Sequence, residues 1–129
     1  QTSGIPFEDL SEEERKAAFH YVVSHPSIFI AAHIDYVRIV RLLPLDVETT
    51  QMQVEWLFPE QTLADESVDI EAVAEFSRLV MEQDASISEL NQKGLHSIRH
   101  KQGVLMAEEY DVYAFQNWVR EQLLRFDGL

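Results

Sequence analysis

Cysteine is absent from the 129 residues of this sequence. Without cysteine the chain has no disulfide framework, no thiolate nucleophile and no cysteine-ligated cluster of its own. This composition fits a cytoplasmic location, where disulfides are rare. Long apolar runs are also absent, since none approaches the roughly 20 residues that a membrane-spanning helix needs, and no signal-peptide pattern opens the sequence. We therefore expect no membrane partner.

Basic residues are few. Ten Lys and Arg stand against 23 Asp and Glu, which gives a formal net charge of −13 and a pI near 4.6. Such a chain repels nucleic-acid phosphates, so we expect no nucleic-acid partner. Because 46% of the residues are hydrophobic, the chain can bury a core, and its length suits a single domain over residues 1–129. Gln1 to Pro6 reads like the middle of a loop, so we expect a piece of a longer protein.

Hydrophobic periodicity predicts one helix, then three strands, then further helices. Ser11 and Glu14 form a capping-box signal, which predicts a helix that ends near His20. Short connections between the strands favour an antiparallel meander. The fold class is therefore α+β, an antiparallel sheet with long C-terminal helices. The predicted strands cover 27–33, 36–43 and 49–58, and the later helices cover 69–93, with a bend or restart near 84–86 and a stop at Gly94, and 108–125.

Several kinds of site have no support in the sequence. It contains no GxSxG, no P-loop and no GxGxxG, so a nucleophile elbow and a phosphate-binding glycine loop are not predicted. Two pairs of histidines lack convincing ligand spacing: His20 with His25, and His96 with His100. His33 lies at a predicted strand end two residues before Asp35, where a turn hydrogen bond is the plain explanation.

Two features of the predicted sheet allow a binding role beside a structural one. Arg38 and Arg41 interrupt an apolar strand; they clamp an anion in a cleft or, as is commoner, extend toward acids at the sheet edge. Met52, Trp56 and Phe58 share one face of the third predicted strand. That face lines a substrate pocket or is simply core.

Asp84 interrupts the apolar stripe of the long predicted helix. At about 100° per residue, Val73, Phe76, Val80 and Ile87 share one face, with Asp84 at its near edge. A carboxylate there loses hydration and stays charged only beside a hydrogen-bonding partner or a metal. Taken by itself, the residue pattern favours an aspartate that caps a kink in the helix.

Ordered motifs along nearly the whole chain resemble one known family. They are Pro6–Arg15, His25–Ile30, Asp35–Val37, Arg41–Asp46 with Thr49-Thr50, Val54–Pro59, Gln83-Asp84, Glu89–Ser97, Gly103 and a final aromatic-rich helix. In this order they are similar to the C-terminal part of the catalytic domain of Rieske-type ring-hydroxylating oxygenase large (alpha) subunits.

The resemblance implies a fold and a metal site. The family's catalytic domain is a helix-grip, START-like fold, of which this chain would be a part. Its mononuclear Fe(II) is bound by two histidines and one aspartate, a facial triad used to activate O₂. Asp84 is the position that corresponds to the aspartate, and Glu89, Asn91 and Gln92 are candidates to orient or support it.

This sequence also departs from the family. The paired-histidine motif belongs upstream of Pro6 and is not in the sequence, so the iron site in this chain is expected to be incomplete. The [2Fe–2S] Rieske cluster is held by two cysteines and two histidines of an N-terminal domain, which is also missing here. We therefore expect the isolated chain to be inactive.

The function implied by the resemblance is O₂-dependent hydroxylation or demethylation of a small organic substrate by a mono- or dioxygenase. Its implied partners are the substrate, O₂, a reductase or ferredoxin that delivers electrons, and other copies of the subunit in a trimer. Two alternatives stay open. One is a helix-grip module that binds an apolar ligand without catalysis. The other is an assembly fragment whose apolar surface and open sheet edge need a partner segment.

Overall fold

A computed structural model describes residues 4–17 and 19–126. Within it the chain divides into two compact units, the first ending at Glu89 and the second beginning at Leu90. The expected single domain over residues 1–129 stays a prediction. The elements in chain order are α1 (Glu12–Lys16), β1 (Phe19–Ser24), β2 (Ile28–His33), β3 (Val37–Pro44), β4 (Thr50–Leu57), α2 (Glu60–Ala64), α3 (Ile70–Leu95), a 3₁₀ turn (Ala107–Glu109) and α4 (Tyr110–Phe126).

The predicted capping box is confirmed at the start of α1. The Ser11 hydroxyl accepts a hydrogen bond from the Glu14 backbone N–H at 3.3 Å, and the Glu14 carboxylate accepts one from the Ser11 N–H at 2.8 Å. The predicted end near His20 is wrong, because α1 ends at Lys16 and His20 lies in β1. Aromatic and β-branched residues in that stretch favour a strand once a neighbouring strand is available for pairing.

The sheet is an antiparallel meander of four strands in the order β1-β2-β3-β4. The α+β class and the antiparallel connections are confirmed, whereas the predicted number of three strands is wrong, because Phe19–Ser24 forms an additional strand. The β2–β3 hairpin turns tightly at Ile34 and Asp35, and the His33 N–H donates to the Tyr36 carbonyl at 2.8 Å. This turn places His33, Tyr36 and Arg38 at one end of the sheet.

Residues directly opposite each other on antiparallel strands project from the same face. Arg38 pairs with Ala31 on one side and with Trp56 on the other, so these three share a face, called here the Ala31 face. Arg41 pairs with Ile28 and Gln53 and projects from the opposite face. The two arginines of β3 therefore have different surroundings.

The long helix α3 begins one residue later than predicted and ends two residues later. Asp69 caps its start, since its carboxylate accepts from the Ala72 N–H at 3.0 Å. The helix runs unbroken past Asp84 to Leu95, so it does not restart near residues 84–86, and the predicted stop at Gly94 is wrong. A Cβ on Gly94 would meet nothing within 4 Å, and this glycine does not adopt a positive φ. Helical hydrogen bonding continues because nothing at Gly94 opposes it.

The other helices differ from the predictions in detail. The segment between β4 and α3 contains the short helix α2. The last predicted helix, 108–125, is a 3₁₀ turn followed by α4. Among the described residues, no helix is long and apolar enough to cross a membrane.

Polar side chains dominate the fully buried positions in the described part of the chain. Ala31 is the buried apolar side chain of the sheet, whereas Asp35, Thr62 and Ser77 are buried polar ones. Two of these hold the segment that enters the sheet. The Asp35 carboxylate accepts from the Gly4 N–H at 3.1 Å, and the Thr62 hydroxyl accepts from the Ile5 N–H at 3.2 Å. A Cβ on Gly4 would lie 3.3 Å from the Asp35 side chain, so a larger residue there would have to displace that side chain by a few tenths of an ångström.

Replacing Thr62 with valine tests how much this attachment contributes. Thr62→Val keeps the shape of the side chain but leaves the backbone groups of Ile5 without their partner, so we expect a loss of about 1–3 kcal/mol in the free energy of unfolding. Thr50→Val, at an exposed position of β4, is the matched control and should be close to neutral. Chemical denaturation of the three proteins measures both effects. Equal stability of the two variants would show that the Thr62 hydroxyl contributes nothing.

Candidate functional site

Ser77 shows which side of α3 faces the sheet. It is buried, and its hydroxyl accepts a hydrogen bond from Arg38 Nη1 on the Ala31 face at 2.5 Å. Asp84 follows seven residues later, which is about 10 Å along the helix axis and about 20° around it. The aspartate therefore lies on the same side of the helix as Ser77. Half-buried Val80, Met81 and Ala85 flank it.

The predicted apolar stripe is wrong at two of its members. Phe76 and Ile87 are 73% and 65% exposed, whereas Val73 and Val80 are half-buried as expected. The true stripe is centred on Ser77, a small polar residue that hydropathy does not mark. Asp84 therefore lies near the middle of the stripe and not at its edge.

The described residues do not form a complete metal site around Asp84. Its side chain is exposed. Within residues 4–17 and 19–126, no three His, Cys, Asp or Glu side chains are grouped so that they could hold a metal ion. Asp84 thus offers a single carboxylate donor, which is too few for tight binding of a divalent metal.

The three proposed supporting residues all lie on α3 and are exposed. Glu89 comes five residues after Asp84, which turns it about 140° around the helix and away from the Asp84 side. Asn91 and Gln92 belong to the second compact unit. Their assignment as supporting residues stays a prediction.

The three predicted pocket residues lie along β4 and just beyond its end, in different settings. Trp56 is half-buried on the Ala31 face, opposite Arg38. Met52 shares that face at a more exposed position. Phe58 lies beyond the end of β4, where its ring is 5.8 Å from the ring of Tyr36. Met52 and Trp56 therefore form part of a wall of the sheet, and Phe58 packs near the β2–β3 turn.

Arg38 and Trp56 carry two buried N–H groups without partners. Arg38 Nε and Trp56 Nε1 are both covered, and neither finds a hydrogen-bond acceptor in the described structure. Arg41, by contrast, is exposed and forms an ion pair of 3.0 Å with Glu55. The commoner of the two expectations, an arginine that reaches an acid on the sheet, thus applies to Arg41. Arg38 points instead toward α3.

An aromatic cluster at the β2–β3 end of the sheet was not predicted. The imidazole of His33 stacks on Tyr36 with ring centroids 4.3 Å apart, and the Phe19 ring lies 5.8 Å from it. The expected turn hydrogen bond exists, but the His33 backbone makes it with Tyr36, while the Asp35 carboxylate binds Gly4. Sequence patterns missed this cluster because they place Phe19 in the first helix, whereas Phe19 begins β1.

Burial changes the titration of this cluster. The pKa of His33 is lowered, chiefly by burial and then by the nearby charge of Arg38, against an opposing effect of Asp35. Burial likewise raises the pKa of Tyr36. His33 therefore favours its neutral form in the folded protein.

The lowered pKa of His33 predicts a loss of stability in acid. The unfolded chain binds a proton at this residue more readily, with a pKa of about 6.5, than the folded chain does, so the free energy of unfolding falls as pH drops below that value. His33→Gln should flatten the decline in Tm between about pH 7 and pH 5. His100→Gln, in an exposed loop, is the control and should keep the wild-type slope. Identical slopes in all three proteins would contradict the prediction.

Comparison with known proteins gives one match. The sequence matches the ring hydroxylating alpha subunit (catalytic domain) family over residues 1–125. Neither the curated proteins nor the solved structures gave a match. The resemblance inferred from the ordered motifs is thereby confirmed. Because the match covers nearly all of its residues, the chain belongs to the family of ring-hydroxylating alpha subunits, within their catalytic domain.

Proposed function

We propose that the chain is the C-terminal part of the catalytic domain of a Rieske-type non-haem iron oxygenase, and that Asp84 is its carboxylate ligand to iron. The observation that carries this proposal, beside the family match, is the position of Asp84 in the middle of the helix side that Ser77 turns toward the sheet. Because Asp84 is exposed, its position on that side of α3, and not burial, supports the assignment.

In this proposal the sheet and α3 form two walls of a partial helix-grip domain. The Ala31 face, with Met52 and Trp56, would contact the substrate. The hydrogen bond between Arg38 and Ser77 holds α3 against that face and so fixes the side from which Asp84 projects. Helix rigidity carries this orientation over the seven residues between Ser77 and Asp84.

The described residues supply only one of the ligands that a facial triad needs. The histidine ligands, and the cysteines of a Rieske cluster, would have to come from elsewhere in an intact subunit, since this sequence contains no cysteine. We therefore propose that the chain alone is inactive. In the intact enzyme, O₂ and a small organic substrate would react with electrons from a reductase or ferredoxin, and the subunits would assemble as a trimer.

Iron content tests the assignment of Asp84. An intact subunit carrying this chain is purified anaerobically with Fe(II), and mononuclear iron per chain is counted apart from the iron of the Rieske cluster. Asp84→Ala should lower the affinity for iron more than about tenfold, because even partners outside the ligand set change metal affinity by that factor. Glu82→Ala, another exposed acid of α3, is the matched control and should leave iron unchanged.

Full mononuclear iron occupancy in the Asp84→Ala subunit would contradict the ligand assignment. An intact protein without mononuclear iron that still bound apolar ligands would favour the alternative of a binding module.

A further inference from the structure

Arg38 is a half-buried cation without a carboxylate partner in the described part of the chain. Its one hydrogen bond there is the donation from Nη1 to the Ser77 hydroxyl, a neutral acceptor. Arg41, three positions along the same strand, is paired with Glu55. In a chain with 23 acidic residues, a cation removed from water without an acid beside it needs an explanation.

The charges of Asp35 and Arg38 both affect His33, but the Asp35 carboxylate forms no ion pair with the Arg38 guanidinium. One of its carboxylate oxygens accepts from Gly4, and the other has no partner among the described residues. Asp35 and Arg38 also shift the pKa of His33 in opposite directions. The arginine thus keeps hydrogen-bonding capacity of its own.

Trp56 adds a second donor at the same place. It lies directly opposite Arg38 across β3 and β4, and its indole N–H has no acceptor within the described ranges. Side chains paired in this way are near neighbours on one face. Two unpaired N–H groups on neighbouring residues, one of them on a guanidinium, fit an anionic acceptor better than a neutral one.

We propose that Arg38 and Trp56 bind a carboxylate group of an organic ligand on the Ala31 face. The inference rests on the proposed function in one respect, that this ligand is the substrate of the oxygenase. Arg38 and Trp56 are then specificity-determining residues, and the substrate class is organic carboxylates. Arg38 Nε and Trp56 Nε1 are both covered, so in this proposal the ligand reaches them only when the side chains over them move apart.

Benzoate and benzamide provide a matched pair of probes, since they share a shape and differ in charge. The full 129-residue chain is labelled with ¹⁵N, and the indole N–H signals of its two tryptophans are followed during titration. Benzoate should shift the Trp56 signal in a saturable manner and leave Trp118, on α4, as the internal reference. Benzamide should bind about tenfold more weakly, because a hydrogen bond to a charged group is the stronger one.

Variants of the two arginines then separate local from general charge effects. Arg38→Met should reduce benzoate affinity about tenfold, to the level of benzamide. Arg38→Lys should retain part of the preference, and Arg41→Met on the opposite face should keep wild-type binding. Equal affinities for benzoate and benzamide in the wild-type chain would overturn the proposal even if Arg38→Met failed to fold. Equal losses in Arg38→Met and Arg41→Met would also overturn it.

The assay requires no iron, so its outcome is independent of the Asp84 assignment. Preferential benzoate binding together with full iron in an Asp84→Ala subunit would support the carboxylate site and reject the ligand assignment. The reverse pattern would reject the carboxylate site and leave the oxygenase proposal standing.

Discussion

The hydrogen bond from Arg38 to Ser77 is the contact on which the placement of the candidate site depends. It joins β3 to α3, and its donor carries a charge, which makes it stronger than a bond between neutral groups. A helix transmits the orientation of one side chain to others on the same side. Once Ser77 is directed at the sheet, the direction of Asp84 two turns later follows from helix geometry alone. The hypothesis that Asp84 binds a metal therefore depends on a polar contact between two residues that are not themselves proposed to bind the metal.

Polar contacts hold the entry segment in a similar way. Asp35 and Thr62 are more deeply buried than the apolar residues of the sheet, and each binds a backbone N–H of the segment that precedes α1. Hydrogen bonds are directional, so they specify one chain path where apolar contact would allow several.

Sequence patterns predicted the antiparallel strands and the long helix because alternation and 3.6-residue periodicity are strong in those stretches. They failed at the start of β1, because the helix predicted from the capping box at Ser11 extends over Phe19 and His20, which form the first part of that strand. They also misplaced the stripe of α3. Serine is polar and phenylalanine apolar, so hydropathy predicts that Phe76 is buried and Ser77 is not, whereas the structure shows the opposite. Gly94 resembles a helix end in the sequence because glycine often follows the last helical residue, but glycine alone does not end a helix where nothing else opposes it. The failures at β1 and in the stripe of α3 concern residues whose roles depend on partners distant in sequence.

For the two arginines of β3, the sequence predicts which face each occupies but not which partner each meets. Their odd spacing places them on opposite faces of a strand, as the observed register confirms, and this much follows from the sequence. Which of them meets an acid does not follow, since Glu55 is brought to Arg41 only by the pairing of β3 with β4. Arg38 is left with Ser77 and Trp56, which supply a neutral acceptor and a further donor. An arrangement that leaves a guanidinium and an indole N–H short of acceptors is unfavourable for folding alone, and it becomes favourable once a ligand supplies the missing acceptor.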